Sequence, residues 1–166
     1  MQPPYFSPPP NASSLPTPNT NLLETTILGE IIPQSRPRLG RRGTYTPAPS
    51  RDCRRRLAME FRVRWQHDPI DYPVMVAIVV SLVRPKTPAG TKPFPVHPRA
   101  GDVDNLGKQI VDAMQDSGML SDDRWVTTLL VSKVWGEAAE ARVHVSKAGG
   151  IYVLNIASSD MAKVNT

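Results

Sequence analysis

The pattern of apolar and polar positions predicts an amphipathic helix in the first half of the chain. Cys53, Leu57, Phe61 and Trp65 recur at intervals of four, the spacing that aligns side chains on one face of a helix. Ser50 stands where a capping residue is expected. The apolar stripe should face the core. The arginines on the other side are expected to project outward: Arg54, Arg55 and Arg62.

A second helix is predicted from residue 102 to the Ser117-Gly118 pair. At 100° per residue, its apolar residues share one face: Leu106, Ile110, Ala113 and Met114. Polar residues share the opposite face: Asp104, Lys108, Asp112 and Gln115. We therefore expect the helix to pack through its apolar stripe and to turn its acids outward.

Four segments are predicted to be strands. The nearly continuous apolar run at 73–83 indicates a strand buried on both faces in the middle of a sheet. Residues 25–32 form a shorter strand, and 125–135 with 141–146 are expected to form a hairpin. The order β-α-β-α-β-β predicts an α+β fold, a mixed sheet flanked by two helices.

Composition suggests how the chain is divided. Residues 1–22 are rich in proline and predict a disordered leader. Residues 23–147 form one domain, and 148–166 form a C-terminal extension in which 151–156 could add an edge strand or a dimer contact. Between the second strand and the second helix, residues 84–101 predict an irregular loop that could act as a flap.

Size and cysteine content narrow the functional classes. The 166 residues (18.3 kDa) fit a single domain and exclude a two-enzyme arrangement. The single cysteine, Cys53, cannot form an internal disulfide, and its place on the apolar stripe favours a buried thiol over a nucleophile. Because no long apolar run suggests a signal peptide or a membrane span, we expect a cytoplasmic protein with no membrane contact. We also expect no small organic cofactor.

Positive charge is concentrated in one segment. Residues 36–64 hold ten arginines and two acids, a net charge of +8 in a chain of +5. Such an arginine field indicates nucleic acid as the partner, with a solvated basic surface or an anionic membrane patch as alternatives. Tyr45, in this segment, could stack on a base, but a turn-filling role is expected. The candidate DNA-binding residues are Arg36, Arg38, Arg41, Arg42, Arg54 and Arg55.

Carboxylates cluster where the second helix begins and where the next strand begins. Asp102 and Asp104 precede Lys108, and the pair Asp122-Asp123 follows about twenty positions on. This pattern favours a Mg²⁺ site for phosphate chemistry, while a plain N-cap pair is the alternative. An EF-hand is excluded, because Leu106 and Ala113 occupy two required ligand positions. His97 lacks a second histidine at ligand spacing, so we do not expect it to bind metal.

The carboxylate motif resembles that of the RusA family of Holliday junction resolvases. The motif consists of Asp102-Val103-Asp104-Asn105-Leu106-Gly107-Lys108, then Asp112, then Ser121-Asp122-Asp123-Arg124-Trp125-Val126. The resemblance covers roughly residues 25–147 and departs from the family at Val103 and Gly107, where leucine and a larger polar residue are usual. It implies an α+β homodimer, bacterial or phage-encoded, that cuts four-way DNA junctions symmetrically with Mg²⁺ or Mn²⁺ in recombination and repair.

The resemblance also implies roles for individual residues. By position, Asp102, Asp104 and Asp123 become the catalytic metal ligands and Lys108 the essential lysine. Lys108 would neutralise developing charge or orient the attacking water, although an Asp-Lys pair four residues apart can also simply stabilise a helix. Asp112 would orient Lys108 or reach the metal, and Asp122 would position the metal ligands without binding the metal itself.

Two other functions stay open at this point. One is a nuclease that tolerates several branched structures, including flaps and forks, and keeps the same acids. The other is a non-catalytic basic DNA-binding module whose acids only cap and solubilise a helix.

Overall fold

A computed structural model describes residues 21–36, 38–41, 43–96 and 100–148, without the side chains of residues 38, 88 and 89. Its strands and helices are β1 (Asn21–Leu28), β2 (Arg38–Gly40), β3 (Gly43–Tyr45), α1 (Ala48–Arg64), β4 (Val74–Val83), α2 (Val103–Ser117), β5 (Val126–Gly136) and β6 (Glu140–Lys147). Two 3-10 turns span Pro88–Thr91 and Asp123–Trp125. Except for residues 21, 22 and 148, the predicted leader and C-terminal extension lie outside the described residues.

The sheet confirms the predicted α+β architecture. Its four long strands run in the order β1-β6-β4-β5, with β4 parallel to β5 and antiparallel to β6. At the centre of β4, Ile78 is paired with Val131 of β5 on one side and Val143 of β6 on the other. The apolar run is therefore an interior strand, as predicted, and the sheet is mixed.

The predicted hairpin of β5 and β6 is wrong, because β4 lies between them. Crossing β4 requires the 137–139 connection to span two strand spacings, roughly 10 Å. Three extended residues reach about that far. A short connection therefore fits either arrangement, and the pairing is decided by the apolar β4 taking the position with neighbours on both edges.

The first strand and the segment that follows it differ from the sequence expectations. β1 occupies Asn21–Leu28 rather than 25–32, and Ile31 enters the core from the loop that follows. Residues 33–49, expected to be loop only, contain the short antiparallel pair β2–β3.

Helix α1 begins before its predicted cap. Pro47 is the N-cap, and proline is tolerated in the first turn because those N–H groups have no partner inside the helix. Ser50 is therefore a buried helical residue, and its backbone carbonyl accepts a 2.6 Å hydrogen bond from Gln109 of α2. The predicted stripe is confirmed, since Cys53, Leu57 and Phe61 are buried.

Both helices pack on one face of the sheet. Alternate residues of β4 and β6 form a single core with the helix stripes, including Val76, Ile78, Val143 and Val145. Helix α2 lies close to β5, since a Cβ added at Gly107 would come within 2.6 Å of a Val131 methyl. The glycine therefore permits an approach that positions α2 on the sheet.

The loop before α2 is anchored to the sheet at two points. Trp135 of β5 donates a 2.8 Å hydrogen bond to the Lys92 carbonyl, and Lys133 donates to the Gly101 carbonyl. Arg84 donates to the Gly90 carbonyl at 3.0 Å. His97 lies outside the described residues. Of the helices in the described ranges, none has the length and apolar character needed to cross a membrane.

Candidate active site at the start of helix α2

The first turn of α2 presents two exposed carboxylates. Gly101 precedes them with φ of 70°, and a Cβ there would come within 2.1 Å of Pro33, so only glycine fits this approach. Asp102 is the N-cap by position, yet its side chain makes no capping hydrogen bond; Asp104 lies in the first turn. The alternative of a plain cap therefore does not account for Asp102, while the positive end of the helix favours both negative charges.

Lys108 connects the helix acids to the following turn. It lies one helical turn beyond Asp104, and its ammonium Nζ is 3.2 Å from Asp112 Oδ1 and 3.9 Å from Asp123 Oδ2. The side chain is 56% exposed, so it is also accessible to a ligand. The fold thus brings the predicted essential lysine to the third predicted catalytic aspartate.

Asp112 is buried, which corrects the expectation that the α2 acids all face outward. Its carboxylate accepts hydrogen bonds from Gln34 at 2.8 Å, from Arg54 at 3.0 Å and from Lys108 at 3.2 Å. A buried carboxylate is stable when it is paired and fully hydrogen-bonded. Asp112 is therefore a fixed anionic support beneath the exposed lysine.

Arg54 does not project outward as expected from its helical position. Besides Asp112, it contacts both carboxylate oxygens of Asp116, at 2.5 and 2.7 Å. The hydrogen bond to Asp116 raises the pKa of the Arg54 guanidinium above its ordinary value, against the opposing effect of burial. The arginine stays charged and ties α1 to α2 beside the candidate site.

The two residues of the second acidic pair have different environments. The Asp122 side chain accepts a 2.9 Å hydrogen bond from the Arg124 backbone and so caps the 3-10 turn. Asp123 is half exposed and faces Lys108. The cap holds the turn in shape, and the turn presents Asp123 to the lysine.

The donor set matches a hard divalent cation in chemistry, because carboxylate oxygens suit Mg²⁺ and Mn²⁺. Within the ranges described, no three histidine, cysteine, aspartate or glutamate side chains stand close enough to hold a metal ion together. Mg²⁺ commonly uses one or two carboxylates and completes its shell with water and substrate phosphate. The exposed pair Asp102 and Asp104 fits that mode, and a site of three aspartates stays a prediction.

The other predicted DNA-binding arginines are exposed wherever the structure describes their side chains. Arg36, Arg41 and Arg55 are exposed. Arg42 and the side chain of Arg38 lie outside the described residues. Arg62 donates to the Asp116 and Ser117 carbonyls at the end of α2, at 3.2 and 3.4 Å.

Sequence reasoning missed Gln34 and Asp116. Asp116 follows Asp112 by four residues, a spacing that could have indicated one shared arginine. Gln34 comes from the loop after β1 and carried no local signal, because its contact with Asp112 crosses 78 positions of sequence.

Residues 29–146 match the family model described as endodeoxyribonuclease RusA, which is more than two thirds of the chain. The match begins directly after β1 and ends within β6, so it includes every candidate site residue. It confirms the resemblance that the carboxylate motif indicated. No match was found among curated proteins.

Proposed function

The chain belongs to the RusA family of endodeoxyribonucleases, and on that premise we propose that it resolves four-way DNA junctions by paired, symmetric, metal-dependent nicks. The observation that carries the proposal is the position of Lys108, held between Asp112 and Asp123 one turn beyond Asp104. A lysine ammonium that is held by carboxylates and lies beside two exposed aspartates is an arrangement suited to phosphodiester cleavage.

In this proposal Asp102, Asp104 and Asp123 would hold Mg²⁺ or Mn²⁺. Since no three carboxylates of the described residues form a closed cluster, water and the substrate phosphate would complete the shell of the ion. The bound ion supplies polarisation of the phosphate and acidification of an attacking water. Lys108 offsets the negative charge that develops on the phosphate oxygens. Asp112 keeps the lysine ammonium aimed at that position, and Asp122 holds the turn that carries Asp123.

Arg54 is assigned to joining the helices, because two carboxylates already occupy its guanidinium. Contact with DNA phosphates is assigned to the exposed Arg36, Arg41 and Arg55, and by sequence to Arg38 and Arg42. Two nicks in opposed strands need two sites, so the working form is a homodimer, which light scattering of the purified protein would measure. We place this activity in the bacterial cytoplasm, in DNA recombination and repair, for a protein encoded by the bacterium or by its phage.

The test uses charge removal without change of shape. Asp104→Asn and Asp123→Asn should each lose at least about a hundredfold in Mg²⁺-dependent cleavage of a labelled four-way junction, the scale of a lost catalytic interaction. Junction binding should persist, because the acids do not attract the DNA backbone. Glu24→Gln is the matched control, since Glu24 is exposed on β1 at the edge of the sheet away from β5.

Retention of most cleavage by Asp104→Asn and Asp123→Asn would refute the site. Equal wild-type cleavage with and without Mg²⁺ or Mn²⁺ would refute metal dependence. A panel of flaps, forks and linear duplexes in the same assay decides whether the activity is confined to four-way junctions.

A further inference from the structure

Beside the candidate active site, α1 and β3 enclose an open groove of about 580 Å³. Four arginines and a single carboxylate line it, so its surface is strongly cationic: Arg51, Arg54, Arg55, Arg62 and Asp116. Arg54 and Arg62 are bound to the end of α2. The arginines open to a ligand are therefore Arg55, which is exposed, and Arg51, whose side chain is 57% exposed beside its 3.8 Å ion pair with Asp52.

Apolar surface lies among these charges. Tyr45, Ala58 and Met59 also line the groove, and the Tyr45 side chain is exposed although it is large and apolar. The tyrosine ring rests against the backbone at Gly40, where an added Cβ would come 3.2 Å from Cδ1. A supported, exposed aromatic ring among arginines is the surface on which nucleic acid bases stack.

The groove is connected to the candidate active site by hydrogen bonds through Asp112. Two of its lining residues, Gln34 and Arg54, both hydrogen-bond to Asp112, the carboxylate that also holds Lys108. A strand bound in the groove would therefore contact Gln34 and Arg54, which share the Asp112 carboxylate with Lys108.

We propose that this groove binds one DNA strand of the junction next to the scissile phosphate, with its phosphates on Arg51 and Arg55 and a base stacked on Tyr45. The inference rests on the proposed function and adds to it a strand-binding subsite. Guanidinium groups match phosphate oxygens in pairs, and the aromatic ring adds a contact that every base can make. In this proposal Tyr45 is a binding residue, whereas the sequence favoured a role in filling a turn.

The test measures binding of a fluorescent four-way junction without divalent cations, so that no cleavage occurs. Arg51→Gln and Arg55→Gln should each weaken binding several-fold and should lower the slope of log affinity against log salt by about 0.7 to 0.9, the value for one lost phosphate contact. Arg142→Gln removes the same charge from β6, where Arg142 alternates with the buried Ala141 and Val143, and should change neither quantity appreciably.

Tyr45→Leu should weaken binding by about tenfold with an unchanged salt slope, because it removes stacking and no charge. Tyr45→Phe keeps the ring and should bind as wild type does. Thermal unfolding of every variant verifies that the fold is intact.

Arg51→Gln and Arg55→Gln variants that bind like Arg142→Gln would overturn the subsite, and Tyr45→Leu binding like wild type would overturn the stacking contact. These results are separate from the nuclease assay. A wild-type protein that binds junctions through the groove but never cuts them would refute the proposed function instead.

Discussion

Replacing Asp112 with asparagine tests whether the buried carboxylate beneath Lys108 supports both the fold and the reaction. The side chain is 9% exposed and accepts three hydrogen bonds, two of them from cations. A hydrogen bond to a charged group contributes about 1.5–3 kcal/mol, and breaking a fully buried ion pair costs about 3–5 kcal/mol. The expected loss in the free energy of unfolding is therefore at most about 5 kcal/mol, the cost of breaking a fully buried ion pair.

The loss should fall near the lower end of that range. Lys108 is 56% exposed and Arg54 35% exposed, so water replaces part of each contact. Arg54 also keeps its two hydrogen bonds to Asp116. We expect Asp112→Asn to lower the free energy of unfolding by about 2 kcal/mol, a decrease of about 6 °C in Tm for a domain of this size.

Activity should fall by more than the loss of stability explains. Without the anionic support, the Lys108 ammonium loses its fixed orientation, and supporting residues of this kind typically contribute about 10- to 100-fold in rate. Single-turnover cleavage at saturating junction, well below the Tm, measures this step apart from binding. The junction Kd should be nearly unchanged.

Asp116→Asn is the matched control. It removes a carboxylate from the same helix and the same arginine but leaves the Asp112–Lys108 contact in place. Since Asp116 is 44% exposed, it should cost less than about 1 kcal/mol and leave the cleavage rate intact. Wild-type cleavage by Asp112→Asn, or an equal loss in Asp116→Asn, would show that the supporting role is wrong.

Three further outcomes are expected. Gly107→Ala should destabilise the fold by about 1–3 kcal/mol in urea unfolding because its Cβ would meet Val131 at 2.6 Å, and adding Val131→Ala should recover part of the loss; a more stable Gly107→Ala protein would contradict the packing. Arg56→Gln should cost about 1–2 kcal/mol, since Arg56 donates to the Leu28 and Glu30 carbonyls at 2.8 and 2.7 Å, without altering cleavage. Junction affinity should fall steeply with salt, with a log–log slope of about −4 to −5 for each protomer if the six arginines assigned to phosphates contact them; a flat response would remove the arginines from the interface.

The helices and the interior strand could be predicted from sequence because each carries a complete local signal. The stripe of Leu106, Ile110 and Met114 repeats at helical spacing, and all three residues are buried. The apolar run of β4 likewise indicated a strand in the middle of the sheet, and it has a neighbour on each edge. The burial expected on both faces is met only in part, because Val76 and Ile78 are buried whereas Ala77 and Val79, which alternate with them, are half-buried. Where the periodicity of apolar residues decides whether a residue is buried, the local sequence pattern was sufficient to predict the element.

The errors arose where long side chains or distant strands decide the outcome. Asp112 lies on the polar side of its helix, yet Arg54 and Gln34 reach across and enclose it. Charge and helical position alone cannot distinguish an arginine that meets solvent from one that meets a neighbouring carboxylate. The pairing of β6 with β1 and β4 also depends on contacts between segments far apart in the chain.

The position of β6 has a consequence for the order of biosynthesis. This strand joins β1 to the rest of the sheet, and both of its partners leave the ribosome before it does. Until β6 is synthesised, β1 has no sheet partner and β4 has one open edge, although α2 and Asp123 have already emerged. Sheets that depend on pairings between distant segments fold slowly. A nascent chain therefore carries Asp102, Asp104 and Asp123 before the sheet that supports them can be completed.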